Sequence, residues 1–126
     1  MTTGGPVPRT TRPSWSELPP GAKAFRVAHV AWGVVSMVAL GVIWRSALSG
    51  RRDGRLAASV AWLAVEGVAL VVGRGDCPMG PVQRSLGDPV PMFELVLPPR
   101  AAKAAVPILA GATALGLAVV AIRAAR

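Results

Sequence analysis

Two ionisable residues lie inside long apolar stretches of the chain, where their side chains could do chemistry. His29 comes shortly after Phe25, where the first apolar stretch begins, and Glu66 comes shortly before Gly73, where the second one ends. At 1.5 Å per helical residue, they lie roughly 6 Å and roughly 10 Å inside their helices. Ionisable groups at such depth are costly in a bilayer and mark proton relays, ligand sites or paired polar contacts.

Helix direction predicts that these two residues meet. Successive membrane helices run antiparallel, so the start of the first and the end of the second lie on the same side. We expect an intramembrane polar cluster of Arg26, His29 and Glu66. Three interpretations remain open: a structural contact between helices, a haem, quinone or proton-relay site at His29, or a contact with a charged residue of a partner protein. Because the chain has one histidine, a haem with two histidine ligands would need a second chain.

Cys77 is the only cysteine of the chain, so no disulfide can form within it. It has no second cysteine or neighbouring histidine at a metal-ligand spacing, and we therefore expect no metal site. We interpret it as a small residue at the membrane boundary, with an intermolecular disulfide or acyl attachment as alternatives. The sequence shows no set of nucleophile and base and no phosphate-binding loop, so no catalytic residues and no enzyme activity are predicted.

Three apolar blocks must position these side chains, at about residues 25–44, 56–73 and 104–122. A bilayer core of roughly 30 Å needs about 20 helical residues, which the first and third blocks supply and the second barely reaches. The third block is apolar on all sides, whereas a helix of a soluble three-helix bundle would show a polar stripe. The predicted fold is an all-α integral membrane bundle of three transmembrane helices with a Pro-rich interfacial loop.

Small and polar residues recur at helical spacing within each block and predict the faces on which the helices pack. The expected packing residues are Arg26, His29, Gly33, Ser36 and Leu40 in the first block, Ser59, Trp62, Glu66 and Gly73 in the second, and Pro107, Gly111 and Ala114 in the third.

Composition agrees with a membrane protein. The chain has 126 residues, of which 52% are hydrophobic and 16% charged, and its net charge is +8. The basic residues lie outside the apolar cores, apart from Arg26 at the edge of one, which favours contact with membrane lipids over nucleic-acid binding. Residues 1–21, rich in Pro, Gly, Thr and Ser, are predicted to be a disordered tail, and residues 22–126 a single transmembrane domain.

Loop charges suggest an orientation. The short connection between Arg45 and Arg55 carries four arginines against Asp53, which favours a cytoplasmic location for it and for the C-terminus. The N-terminus would then lie outside a multi-pass protein of the plasma membrane. The opposite side of the membrane carries eight basic residues, which are spread over longer segments. Their larger total favours the reverse orientation, with the N-terminus in the cytoplasm.

Several residues follow one another in a recognisable order: His29, Trp62, Glu66, Cys77, Pro78, Pro81, Phe93, Glu94, Leu97 and Pro98. This order resembles a family of small bacterial membrane proteins, domain-of-unknown-function family 2784, over roughly residues 25–110. The chain departs from the family in three ways: Glu66 stands further from Cys77, Gln83 replaces an acidic residue, and Leu95 replaces a second histidine. The resemblance implies three spans and no known activity.

The sequence therefore predicts a non-enzymatic membrane accessory or assembly protein that packs against another membrane protein or itself, with no cofactor. The alternative is a small redox or proton-handling component, in haem or quinone contact, centred on His29 and Glu66.

Overall fold

The computed structural model describes residues 12–74 and 77–126, and most of these residues are helical. The three long helices are each long and apolar enough to cross a membrane, and no strand occurs in the described ranges. The predicted all-α bundle with three candidate spans is therefore confirmed. The α-helices are α1 (Pro20–Ser49), α2 (Gly54–Val72), α3 (Met79–Ser85) and α4 (Pro99–Ala124).

The turn between α1 and α2 follows from Gly50 and Asp53. Gly50 adopts a left-handed conformation (φ 73°), and its N–H donates to the carbonyl of Ser46 at 2.8 Å, which ends α1. Asp53 then begins α2, because its carboxylate accepts the N–H of Leu56 at 3.2 Å. This tight turn makes α1 and α2 antiparallel neighbours.

The packing face between α1 and α2 is aromatic and contains a polar contact. The rings of Trp32 and Trp62 lie 4.1 Å apart between centroids. The indole N–H of Trp62 donates to the hydroxyl of Ser36 at 3.0 Å, and that hydroxyl donates to the carbonyl of Trp32. The indole is thereby satisfied inside the apolar region, and the predicted packing positions Ser36 and Trp62 are confirmed.

A different face of α1 packs against α4. The indole N–H of Trp44 donates to the carbonyl of Ala112 at 3.1 Å, and the fully buried Ile43 packs against Gly116. The predicted packing face of α4 was wrong, because its residues Pro107, Gly111 and Ala114 are exposed. Because every face of α4 is apolar, hydrophobicity in the sequence could not single out the face that packs on α1.

Residues 77–98 fold back over the end of the bundle where α1 begins, α2 ends and α4 begins, and we call them the cap. The cap contains α3 and a short 3-10 helix, Met92–Leu95, which contacts α1 and α4. The thioether of Met92 lies against Gly33 of α1. The cap is held by polar contacts as well as by apolar ones, since Gln83, Asp88 and Val90 are all buried.

The structure shortens the predicted disordered tail. Its residues 1–11 lie outside the described part, but Trp15–Glu17 form a 3-10 helix and α1 begins at Pro20. Leu18 is buried, and the Arg12 guanidinium forms an ion pair with Glu94 at 2.6 Å. Composition predicts disorder here because a high content of Pro and Gly carries no information about the contacts that the cap supplies.

Candidate functional site

A buried ion pair fixes the cap to α1. The guanidinium of Arg26 donates two hydrogen bonds to the carboxylate of Asp88, at 2.6 Å and 2.5 Å, and the Asp88 side chain is fully buried. Burial raises the pKa of the Asp88 carboxyl, but the bonds from Arg26 and from the Val90 N–H outweigh it and lower the pKa below its ordinary value. Asp88 is therefore a carboxylate at neutral pH.

Gln83 connects this ion pair to the histidine. Its amide nitrogen donates to Asp88 at 3.0 Å and to the carbonyl of Val90 at 2.7 Å. Two acceptors on the nitrogen side fix the orientation of the amide. Its oxygen consequently points to Nδ1 of His29, 2.8 Å away.

His29 is held in one orientation and one tautomer. Because the amide oxygen of Gln83 can only accept, Nδ1 of the histidine must carry a proton and donate it. In the neutral ring Nε2 is then an unprotonated acceptor. The ring of Phe25, one helical turn earlier, packs edge-on against the imidazole with centroids 6.0 Å apart. His29 is 6% exposed, so this arrangement is enclosed by protein.

The free nitrogen of His29 faces Cys77. The Sγ atom lies 3.8 Å from Nε2, although 48 residues separate the two in the chain. The hydrogen bond to His29 lowers the pKa of the Cys77 thiol below its ordinary value; burial and the charge of Glu66 oppose this, while the Met79 backbone N–H supports it. Cys77 is half-buried and forms no disulfide.

The predicted polar cluster is thus only partly as expected. Arg26 and His29 belong to one network, but Asp88 and Gln83 connect them. Glu66 is half-buried on α2 and makes no hydrogen bond or ion pair with any described residue, so the expected contact with His29 is not formed. Its charge acts only at a distance, on the Cys77 thiol.

The remaining residues of the predicted loop motif shape the cap. Pro78 immediately precedes α3 and Pro81 lies in its first turn, where a missing N–H costs nothing. Phe93 and Glu94 lie in the 3-10 helix, and Glu94 accepts two hydrogen bonds from Arg12, one on its side chain and one on its carbonyl.

The sequence interpretation missed Gln83 and Asp88 as site residues. Asp88 lies between Gly87 and Pro89, and its carboxylate accepts the N–H of Val90 at 3.2 Å. Such an Asx turn is a recognisable local signal, since Asp often binds the backbone N–H two residues later. No comparable local signal exists for Gln83, whose partners are His29 on α1 and Asp88 and Val90 further along the cap.

The site has the geometry for proton transfer between Cys77 and His29. Within the described residues no three His, Cys, Asp or Glu side chains lie close enough to hold a metal ion. A haem iron bound at His29 would have to take Nε2, because Nδ1 is engaged by Gln83, and would displace Cys77. The geometry is that of a nucleophile, a base and a group that orients the base.

Comparison with known proteins adds no name to this geometry: no family model, curated protein or solved structure matches the chain. The resemblance to domain-of-unknown-function family 2784 therefore stays a prediction. The structure itself shows an all-α chain with three candidate membrane spans and a capped histidine–cysteine pair.

Proposed function

We propose that the protein is a membrane component that uses the Cys77 thiol, deprotonated by His29, to accept and pass on acyl groups at the membrane boundary. One observation carries the proposal: Sγ of Cys77 lies 3.8 Å from Nε2 of His29, while Gln83 holds the other ring nitrogen. This replaces the predicted site at His29 and Glu66 with one at His29 and Cys77.

The chemistry begins with a proton transfer. The S–H proton moves to Nε2 of His29, and the electron pair of the broken bond stays on sulfur. The thiolate attacks the carbonyl carbon of an activated acyl thioester, and the donor's carbon–sulfur bond breaks. The leaving thiolate takes the proton from the imidazolium. The products are an acyl thioester on Cys77 and the free thiol of the donor.

Two features favour acyl transfer over disulfide chemistry. Cys77 is the only cysteine, so a mixed disulfide would have no second thiol in the chain to resolve it, whereas an acyl thioester is released by an acceptor hydroxyl or amine. Cys77 also follows the end of α2 by five residues, and the last residues of that helix, Val71 and Val72, are exposed apolar side chains. A thiol at this level is close to where an acyl chain enters the bilayer.

The test is acylation of the purified full chain in phospholipid nanodiscs by an alkyne-tagged long-chain acyl thioester. We expect one label, released by neutral hydroxylamine and absent from Cys77→Ser. Gln83→Leu should slow labelling at least about tenfold, because the base loses its orienting partner. Ser85→Ala, an exposed position on the same helix, is the matched control. Equal labelling rates in the wild type and His29→Ala would show spontaneous acylation and overturn the proposal.

Assembly with a partner is the second candidate, and Glu66 favours it. This half-buried carboxyl lies within a candidate span and has no hydrogen-bond or ion-pair partner in the described chain. Intramembrane charges usually pair, so a cation on another membrane protein or a second copy would complete it. Purification in mild detergent tests the idea: a companion lost in Glu66→Gln supports it, and a wild-type monomer without a companion overturns it.

The arginine-rich turn between α1 and α2 supports a plasma-membrane orientation with the N-terminus and the cap outside. Labelling of Cys77 in intact cells by a membrane-impermeant maleimide checks this orientation. Labelling only after permeabilisation would establish the reverse.

A further inference from the structure

The end of the bundle opposite the cap contains a cavity with the chemistry of an anion site. It has a volume of about 120 Å³ and lies among the ends of α1 and α4 and the turn that follows α1. This is roughly four times the volume that one water occupies in the liquid, which is enough for a phosphate group. Its lining residues are Ser46, Gly50, Arg52, Val120 and Arg123.

The donors that line this cavity are not all used by the protein. Ser46 is 7% exposed, and its hydroxyl makes no hydrogen bond to any described residue. One nitrogen of the Arg123 guanidinium donates to the carbonyls of Ala47 and Leu48, at 2.7 Å and 2.6 Å, which ties α4 to the end of α1. Its remaining N–H groups make no bond to the described residues. Arg52 adds a second guanidinium without an ion pair in that part of the chain.

The charge around the cavity is predominantly positive. Asp53 is the only acidic residue in the turn, and its carboxylate is engaged by the N–H of Leu56 at the start of α2. Arginine guanidinium groups bind phosphate oxygens in paired hydrogen bonds, and a serine hydroxyl can donate a further one. Leu48, beside the cavity on α1, is 73% exposed, as expected for a side chain that contacts lipid tails.

From these observations we infer that Ser46, Arg52 and Arg123 bind a phosphate group, either the headgroup of an anionic phospholipid or free phosphate. The site is separate from Cys77 and His29 and does not depend on the function proposed for them. It differs from general attraction of arginines to a membrane surface because it requires a neutral hydroxyl and one particular arginine of the turn.

Native mass spectrometry of the full chain tests the site, after extraction from nanodiscs of phosphatidylcholine with or without phosphatidylglycerol. We expect retained phosphatidylglycerol, with affinity lowered about fivefold in Arg52→Gln, the equivalent of about 1 kcal/mol. Ser46→Ala should weaken binding by a similar factor without changing the charge. Arg51→Gln is the matched control, because Arg51 carries the same charge in the same turn but does not line the cavity.

The results distinguish a phospholipid from free phosphate as the bound ligand, and a specific site from diffuse charge attraction. Displacement of the lipid by millimolar inorganic phosphate, with phosphate bound in its place, would identify free phosphate as an occupant of the same site. Retained lipid that phosphate does not displace would identify the phospholipid. Equal weakening by Arg51→Gln and Arg52→Gln, with none by Ser46→Ala, would show diffuse charge attraction and overturn the site.

Discussion

Nε2 of His29 and Sγ of Cys77 lie 3.8 Å apart, one on the first membrane helix and the other at the start of the cap. The cap brings them together because the Arg26–Asp88 ion pair and the Gln83 amide fix its position over α1.

Removing the histidine should make the thiol less acidic. In His29→Ala the hydrogen bond that lowers the pKa of Cys77 is lost, while burial and the charge of Glu66 still raise it, so the pKa of the thiol should rise. The measurement is the iodoacetamide alkylation rate against pH in nanodiscs, whose midpoint should move to higher pH. An unchanged midpoint would show that the thiol does not interact with His29 in the membrane.

Glu66→Gln should have the opposite effect on the same profile. The negative charge of Glu66 raises the pKa of the Cys77 thiol, so its neutralisation should move the alkylation midpoint to lower pH. The shift should shrink in high salt if solvent reaches the space between the two groups. A shift to higher pH would contradict the arrangement, because it would require Glu66 to act as a base for the thiol.

Asp88→Asn should destabilise the protein by about 3 kcal/mol, because it leaves the Arg26 guanidinium without its carboxylate. The lowered pKa of Asp88 also predicts a pH dependence. The Asp88 carboxylate contributes its full stabilisation above about pH 3.9, the ordinary pKa of Asp. This stabilisation is lost as the pH falls through the lower pKa that Asp88 has in the folded protein. Thermal unfolding in detergent should show this acid dependence in the wild type and lose it in Asp88→Asn.

Gly116→Ala should weaken the packing of α4 on α1. A Cβ at this position would lie 3.0 Å from Cγ2 of Ile43 and 3.2 Å from the indole nitrogen of Trp44. Such overpacking costs about 1–3 kcal/mol. Gly111→Ala is the control, because nothing lies within 4 Å of the added carbon and alanine favours the helix. Equal melting temperatures for the two variants would place the contact between α1 and α4 elsewhere.

The spans could be predicted from the sequence because a bilayer requires helices that are apolar over about 20 residues. The predicted block 56–73 differs from α2, Gly54–Val72, by one or two residues at each end. The packing face of α4 could not be predicted, since hydrophobicity does not vary around that helix.

The site could be predicted only where it lies within a span. Arg26 and His29 stand out as polar residues at the start of an apolar block, and both belong to the network. Their partners come from the cap, 54 and 62 residues further along the chain, and helix periodicity says nothing about how a Pro-rich loop folds back. The similar depths of Glu66 and His29 in the bilayer predict that the two residues meet. Depth does not show which face of α2 packs against α1, and Glu66 makes no hydrogen bond or ion pair with His29.

The unequal lengths of the helices connect the thiol to the thickness of its host bilayer. With 19 residues α2 is about 28 Å long, close to a typical hydrocarbon core, whereas the 30 residues of α1 extend over about 45 Å. In a bilayer α2 would therefore be the span most sensitive to hydrophobic mismatch, and the ends of α1 beyond its apolar block would stand among the headgroups. A thicker membrane would draw the capped end towards the lipid tails, where an ion pair of thiolate and imidazolium is harder to sustain. Membrane thickness would thus regulate how readily Cys77 ionises.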